Sequence, residues 1–185
     1  LPQLDKVGFA TSDAERERVK KLPYLEIVGS QLYCHVQTRP DGLYTSSILS
    51  KHMSDPSIAG YEAAKQALLY LGKTKDLKIT FTKGSRAPPG LEQVRREIES
   101  NYGFVAYSDA SWSVKNPCYG YTLFMSGGPV SFASKTLKSA ESSAEAEYAA
   151  AYQATRDIIF VRNLCDDLGF TLHGTLILAV DNEAA

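Results

Sequence analysis

Cysteine, histidine and net charge are all scarce in this chain, and long apolar runs are missing. Three cysteines in 185 residues, Cys34, Cys118 and Cys165, show no CxxC spacing, which argues against a disulfide framework and against a cysteine zinc site. The three histidines, His35, His52 and His173, are scattered without ligand spacing. No apolar stretch approaches the roughly 18 residues of a membrane span, and residues 1–9 lack the basic-then-apolar pattern of a secretory signal. The expectation is an intracellular chain in a reducing compartment, away from membranes. A glycine-rich phosphate loop and a nucleophile elbow are both lacking. The net charge of -1 hides an asymmetry, a mildly basic first half and an acidic second half that by itself argues against a large electrostatic footprint on nucleic acid there. Residues 1–84 hold 12 Lys and Arg against 9 Asp and Glu, whereas residues 85–185 hold 8 against 12.

What is present, 44% hydrophobic and 22% charged residues, suits one globular domain, or one domain and part of a neighbour. Residues 1–21, with the charged run DAERERVKK, lack a sustained apolar face and read as a lead-in. Helical spacing then predicts helices over 24–36, 43–53 and 58–72, and the alternation of LKITFT predicts a strand over 77–82. Gly84, Pro88, Pro89 and Gly90 mark a linker over 84–100, so the expected division is a helical unit at 22–83 and a second domain at 101–185.

In the second half, strands are expected over 103–108, 119–126 and 129–134, with Gly127-Gly128 as the hairpin turn. A long helix follows within 139–168, then a buried strand over 176–180. This order implies an α/β fold: an antiparallel meander, a crossover helix, and a last strand returning parallel to the first. Asp109 and Asp181 would then lie just past the ends of neighbouring parallel strands. On the helix, the positions Glu147, Ala151, Ala154, Ile158, Val161, Cys165 and Leu168 recur at spacings of 4 and 3, an apolar seam headed by a glutamate. Taken alone, Glu147 reads as a solvated first-turn charge favoured by the helix dipole, and each aspartate as a turn former. Taken together, three converging carboxylates repel one another unless protons or cations are held there. An oxygen-only set suits Mg²⁺ or Mn²⁺, and two such ions about 4 Å apart are suited to phosphodiester hydrolysis.

The residues Ser108-Asp109-Ala110-Ser111-Trp112, Gly120-Tyr121, Gly127 to Phe132, Ser134-Lys135, Ser142 to Tyr148 and Val180-Asp181-Asn182 resemble the RNase H domain of copia-type LTR retrotransposon polyproteins. Pro23-Tyr24, Ile27 to Ser30, Leu32-Tyr33, Thr38 to Asp41, Leu49-Ser50, Ala63 to Lys65 and Leu69 to Leu71 resemble the end of the preceding reverse transcriptase. The resemblance implies an RNase H-like sheet preceded by a thumb or connection unit. It also implies a metal-dependent endonuclease acting on the RNA strand of an RNA/DNA hybrid, with two Mg²⁺ ions (Mn²⁺ possible) on Asp109, Glu147 and Asp181. Glu145 lies about 200° around the helix from Glu147 and would face solvent. Backbone contacts to nucleic acid are expected near Ala110-Ser111, hydroxyl or amide contacts from Ser142, Ser143 and Asn182, and phosphate neutralisation from Lys135. Ser142 and Ser143 are equally good helix caps, Lys135 is equally a surface charge, and Trp112 reads as core or rim packing rather than a base-stacking platform. The family's fourth acidic residue would lie after Ala185, and its paired polymerase aspartates before Leu1, so the resemblance implies a C-terminally incomplete domain that does not polymerise by itself. It places the protein in a cytoplasmic particle or the nucleus, joined to the remaining reverse transcriptase polyprotein. The alternative is an RNase H-like module, inactive or domesticated, that binds nucleic acid or serves as a structural part.

Overall fold

A computed structural model describes residues 4–83, 87–112, 117–137 and 140–181. The chain forms two compact units, Leu1–Lys78 and Ile79–Ala185.

The first unit is helical: α1 (Asp13–Val19), α2 (Tyr24–Gln37), α3 (Leu43–Ser50) and α4 (Ile58–Lys73). Its core gathers Tyr24, Val28, Leu49, Ala63 and Ala64, and three buried polar side chains of this unit each make one hydrogen bond, although Gln31 Oε1 and His35 Nε2 are left without a partner. The Tyr24 hydroxyl donates to the Leu49 carbonyl, and the Gln31 amide to that of Ala64. His35 Nδ1 meets the Ser46 hydroxyl. Residues 1–21 are more than a lead-in. Helix α1 is capped by Ser12 and docked through polar groups: Glu15 accepts the amides of Thr11 and Ile58, and Arg16 forks onto Asp55. Backbone hydrogen bonds hold the Glu15 carboxyl below its usual range. An apolar-periodicity reading cannot see an element anchored in this way.

The second unit holds α5 (Arg95–Ser100), β1 (Val105–Ser111), β2 (Cys118–Met125), β3 (Gly128–Thr136), α6 (Ser143–Asp167) and β4 (Ile177–Val180). The four strands form one mixed sheet in the order β3-β2-β1-β4. The β1–β2 and β2–β3 pairs are antiparallel and β1–β4 is parallel, so the expected meander, crossover helix and parallel return are all present. Phe104, Ala106 and Leu123 pack with Ile158, Val161 and Cys165 of α6 and with Leu172. The buried face of α6 begins with Ala146, Glu147, Ala150 and Ala154. Ala151 is therefore off the expected seam, and Leu168 at the C-cap is 65% exposed.

The division falls between Lys78 and Ile79 rather than inside 84–100. Residues 79–83 belong to the second unit because Phe81 lies over Gly128 and the Thr82 amide donates to the Ser126 carbonyl. Residues 77–82 form no strand, since alternation without a paired neighbour yields only an extended segment. The expected linker also contains α5, which buries Ile98. The hairpin turn is Ser126-Gly127, both at positive φ, as a two-residue turn of this hand requires. Gly128 already pairs with Met125. Ahead of β4, Asn101 clamps the chain: its amide donates to the His173 carbonyl and its oxygen accepts the His173 amide.

Candidate metal centre

Parallel pairing of β1 with β4 ends at Ser108 and Val180, which leaves Asp109 and Asp181 as the next residues on adjacent strands. Asp109 is still within β1, held by its pairing with Gly120 of β2. Helix α6 starts at the same edge because Ser142 caps it. The Ser142 Oγ accepts the Glu145 amide at 3.1 Å, and the Glu145 carboxylate accepts the Glu141 amide at 2.6 Å. This reciprocal cap occupies Glu145 on the exposed side. Glu147, two residues further on, turns inward and is 8% exposed. Asp109, Glu147 and Asp181 each bring one carboxylate oxygen to within 4.8 Å of the others.

The electrostatics of this cluster are unfavourable as it stands. Among the described residues, none of the three carboxylates forms an ion pair. Glu147 Oε2 is buried without a hydrogen-bond partner. Burial raises the Glu147 pKa, the nearby Asp109 charge adds to the rise, the Ala110 backbone amide opposes it, and Asp181 adds a smaller push upward. A buried carboxylate with one unpartnered oxygen, clustered with two further carboxylates, fits a hard divalent cation, with no softer donor in the set.

The remaining expected site residues are placed as follows. Ser111 is exposed at the end of β1, opposite Cys118. Lys135 is exposed on β3, opposite Tyr119. The Ser142 oxygen is engaged as the helix cap, and Ser143 is exposed in the first turn. Asn182 lies outside the described residues. Trp112 is half-exposed, at the rim rather than in the core, and its indole N–H donates to the Ala140 carbonyl at 3.0 Å, a contact that packing alone did not foresee. Sequence reasoning expected the Ala110 backbone to meet nucleic acid and did not foresee its amide as a partner of Glu147. A main-chain donor leaves no side-chain signal, and only the strand register points to it.

No family model and no solved structure matches the chain. Relatives among known proteins include retrovirus-related Pol polyproteins from transposons, a putative transposon Ty5-1 protein of Saccharomyces cerevisiae and a secreted effector. The Pol polyprotein from transposon RE2 of Arabidopsis thaliana is 32% identical over 174 residues, 89% of this chain and 11% of that protein. The Pol polyprotein from transposon TNT 1-94 of Nicotiana tabacum is 29% identical over 172 residues, 90% of this chain and 12% of that protein. The chain thus spans about a tenth of the length of these polyproteins. Secreted RxLR effector protein 161 of Plasmopara viticola is 33% identical over 148 residues, 77% of this chain and 94% of the effector. The homologues of this chain are thus retrovirus-related Pol polyproteins from copia-type transposons, at about 30% identity over about 90% of the chain.

Proposed function

We propose that residues 79–185 are an RNase H domain that cleaves the RNA strand of RNA/DNA hybrids, and that residues 1–78 are the end of the reverse transcriptase before it. The observation that carries this reading is the convergence of Asp109, Glu147 and Asp181, from two strands and a helix, within 4.8 Å. The mixed sheet with its crossover helix is compatible with an RNase H-like fold, and the Pol relatives supply the polyprotein setting.

In this reading Asp109, Glu147 and Asp181 hold two Mg²⁺ ions, or Mn²⁺. Bound there, such ions supply an activated water and neutralise charge on the leaving oxygen. The chain's own residues do the rest. Asp109 and Asp181, both exposed, face the incoming backbone, while Glu147 closes the buried side. Ser142 uses its oxygen lone pair on the Glu145 amide, so its O–H remains able to donate to a phosphate. Ser111, Ser143 and Asn182 add polar contacts, and Lys135 adds positive charge on β3. Contacts of this kind read duplex shape and the ribose 2′-OH, so base preference is weak.

The test is incubation with a labelled RNA/DNA hybrid and Mg²⁺ beside an Asp109→Asn control. Cleavage of the RNA strand that falls at least about a hundredfold in the control supports the enzyme, since loss of outer contacts to a metal ligand alone costs about 10–100-fold. Retained hybrid binding without cleavage in either protein supports a second reading, a non-catalytic module. That reading is favoured by one observation: the RxLR effector, almost wholly covered by this segment, shows the segment occurring apart from a Pol polyprotein.

A further inference from the structure

We propose that Trp112 is a positioning residue of the carboxylate site, whose indole N–H latches the end of β1 to the chain entering α6 and so fixes Glu147 against Asp109. The inference rests on the metal-site reading above. Trp112 follows Asp109 by three residues, and Ala140 precedes Glu147 by seven. The hydrogen bond between Trp112 and Ala140 spans 28 residues at 3.0 Å. With 48% of its surface exposed, the indole has limited packing to hold it, and its donor is the specific contact.

From Ala140 onward the chain is tied to the helix. The Glu141 amide donates to the Glu145 carboxylate, the Glu145 amide to Ser142 Oγ, and the Ala146 amide to the Ser142 carbonyl. The first turn of α6 and its approach therefore move as one block, and the latch joins that block to β1. Mutual repulsion of the three carboxylates acts to drive this block away from the strand edge. A neutral hydrogen bond at this point opposes the separation without adding a charge that would compete with a cation. Phenylalanine would preserve most of the ring and lose the N–H.

The experiment uses the whole chain, stripped with EDTA, and measures Mn²⁺ affinity and the thermal midpoint for wild type, Trp112→Phe and Trp112→His. Trp112→Phe is expected to bind Mn²⁺ about three- to tenfold more weakly, the worth of one neutral hydrogen bond. Its midpoint in EDTA should stay close to wild type, and excess Mg²⁺ should restore its maximal cleavage rate. Trp112→His, which returns a ring N–H, should recover part of the affinity. Equal Mn²⁺ affinity in wild type and Trp112→Phe overturns the proposal, as does a lower EDTA midpoint with unchanged affinity, the mark of a merely structural role. Failure of the wild type itself to bind Mn²⁺ overturns the metal-site reading and is seen before any variant is compared.

Discussion

Replacing Glu147 by Gln should stabilise the protein when divalent ions are absent and, on the RNase H proposal, remove cleavage. The carboxylate is 8% exposed, its Oε2 has no partner, and the other two carboxylates stand within 4.8 Å. Two like charges about 5 Å away, screened at nearly the dielectric of water because both aspartates are exposed, cost about 2 kcal/mol. The glutamine amide removes this repulsion and can donate to either aspartate. A gain of that size raises the thermal midpoint by several degrees for a domain of about 100 residues. The assay is a melting curve of each protein in EDTA and in Mn²⁺. In EDTA the variant should melt higher; adding Mn²⁺ should raise wild type more than the variant and close the gap. The pH dependence has a definite sign. The Glu147 pKa is raised in the fold, so its stabilising protonation is complete below the ordinary value of 4.5 and is lost as pH climbs through the raised value. The two proteins should therefore converge at acid pH and separate toward neutrality. A variant that melts lower than wild type in EDTA at neutral pH would falsify the strained-site account.

Three further outcomes are expected. A Cβ at Gly42 would overlap the ring of His35, so Gly42→Ala should lower the urea midpoint of the first unit, at a cost of about 1–3 kcal/mol from overpacking. Burial lowers the His35 pKa below 6.5, so the stability it contributes is present above that value and is lost as pH falls; His35 ring resonances followed by NMR should titrate at lower pH in the folded protein than in the urea-unfolded chain. Asn101→Ala removes two hydrogen bonds to the backbone of His173 and should cost about 2 kcal/mol, read as faster hydrogen exchange in β4.

The placement of Asp109 beside Asp181 was legible because strand order and crossover handedness leave few ways to return a helix and a strand to β1. Glu147 was legible from its position at the head of a helical seam, although the seam itself is rotated slightly, through Ala146 and Ala150 rather than Ala151 and Leu168. Elements held by polar contacts were not legible. Helix α1 docks through Glu15 and Arg16, and no hydrophobic period announces it. Residues 77–82 alternate as a strand would, yet alternation describes a side-chain pattern and says nothing of whether a partner edge is available. The turn at Ser126 escaped because a serine at positive φ is uncommon; here its amide donates to the Tyr102 carbonyl, and its carbonyl accepts from Thr82. The Trp112 latch and the Asn101 clamp each join segments far apart in sequence, and neither pattern nor propensity encodes such a pair.

The single parallel pair of the sheet joins residues 105–108 to residues 177–180, with the whole hairpin and α6 made in between. On a ribosome, β1 therefore waits for its second neighbour until the end of this segment emerges. Before that moment the chain can display Asp109 and Glu147 but not Asp181. A site that needs all three carboxylates is silent throughout synthesis of the strands and helix that carry the other two. Proteolytic trimming just ahead of β4 would reverse the same step, leaving the carboxylate cluster without its third member.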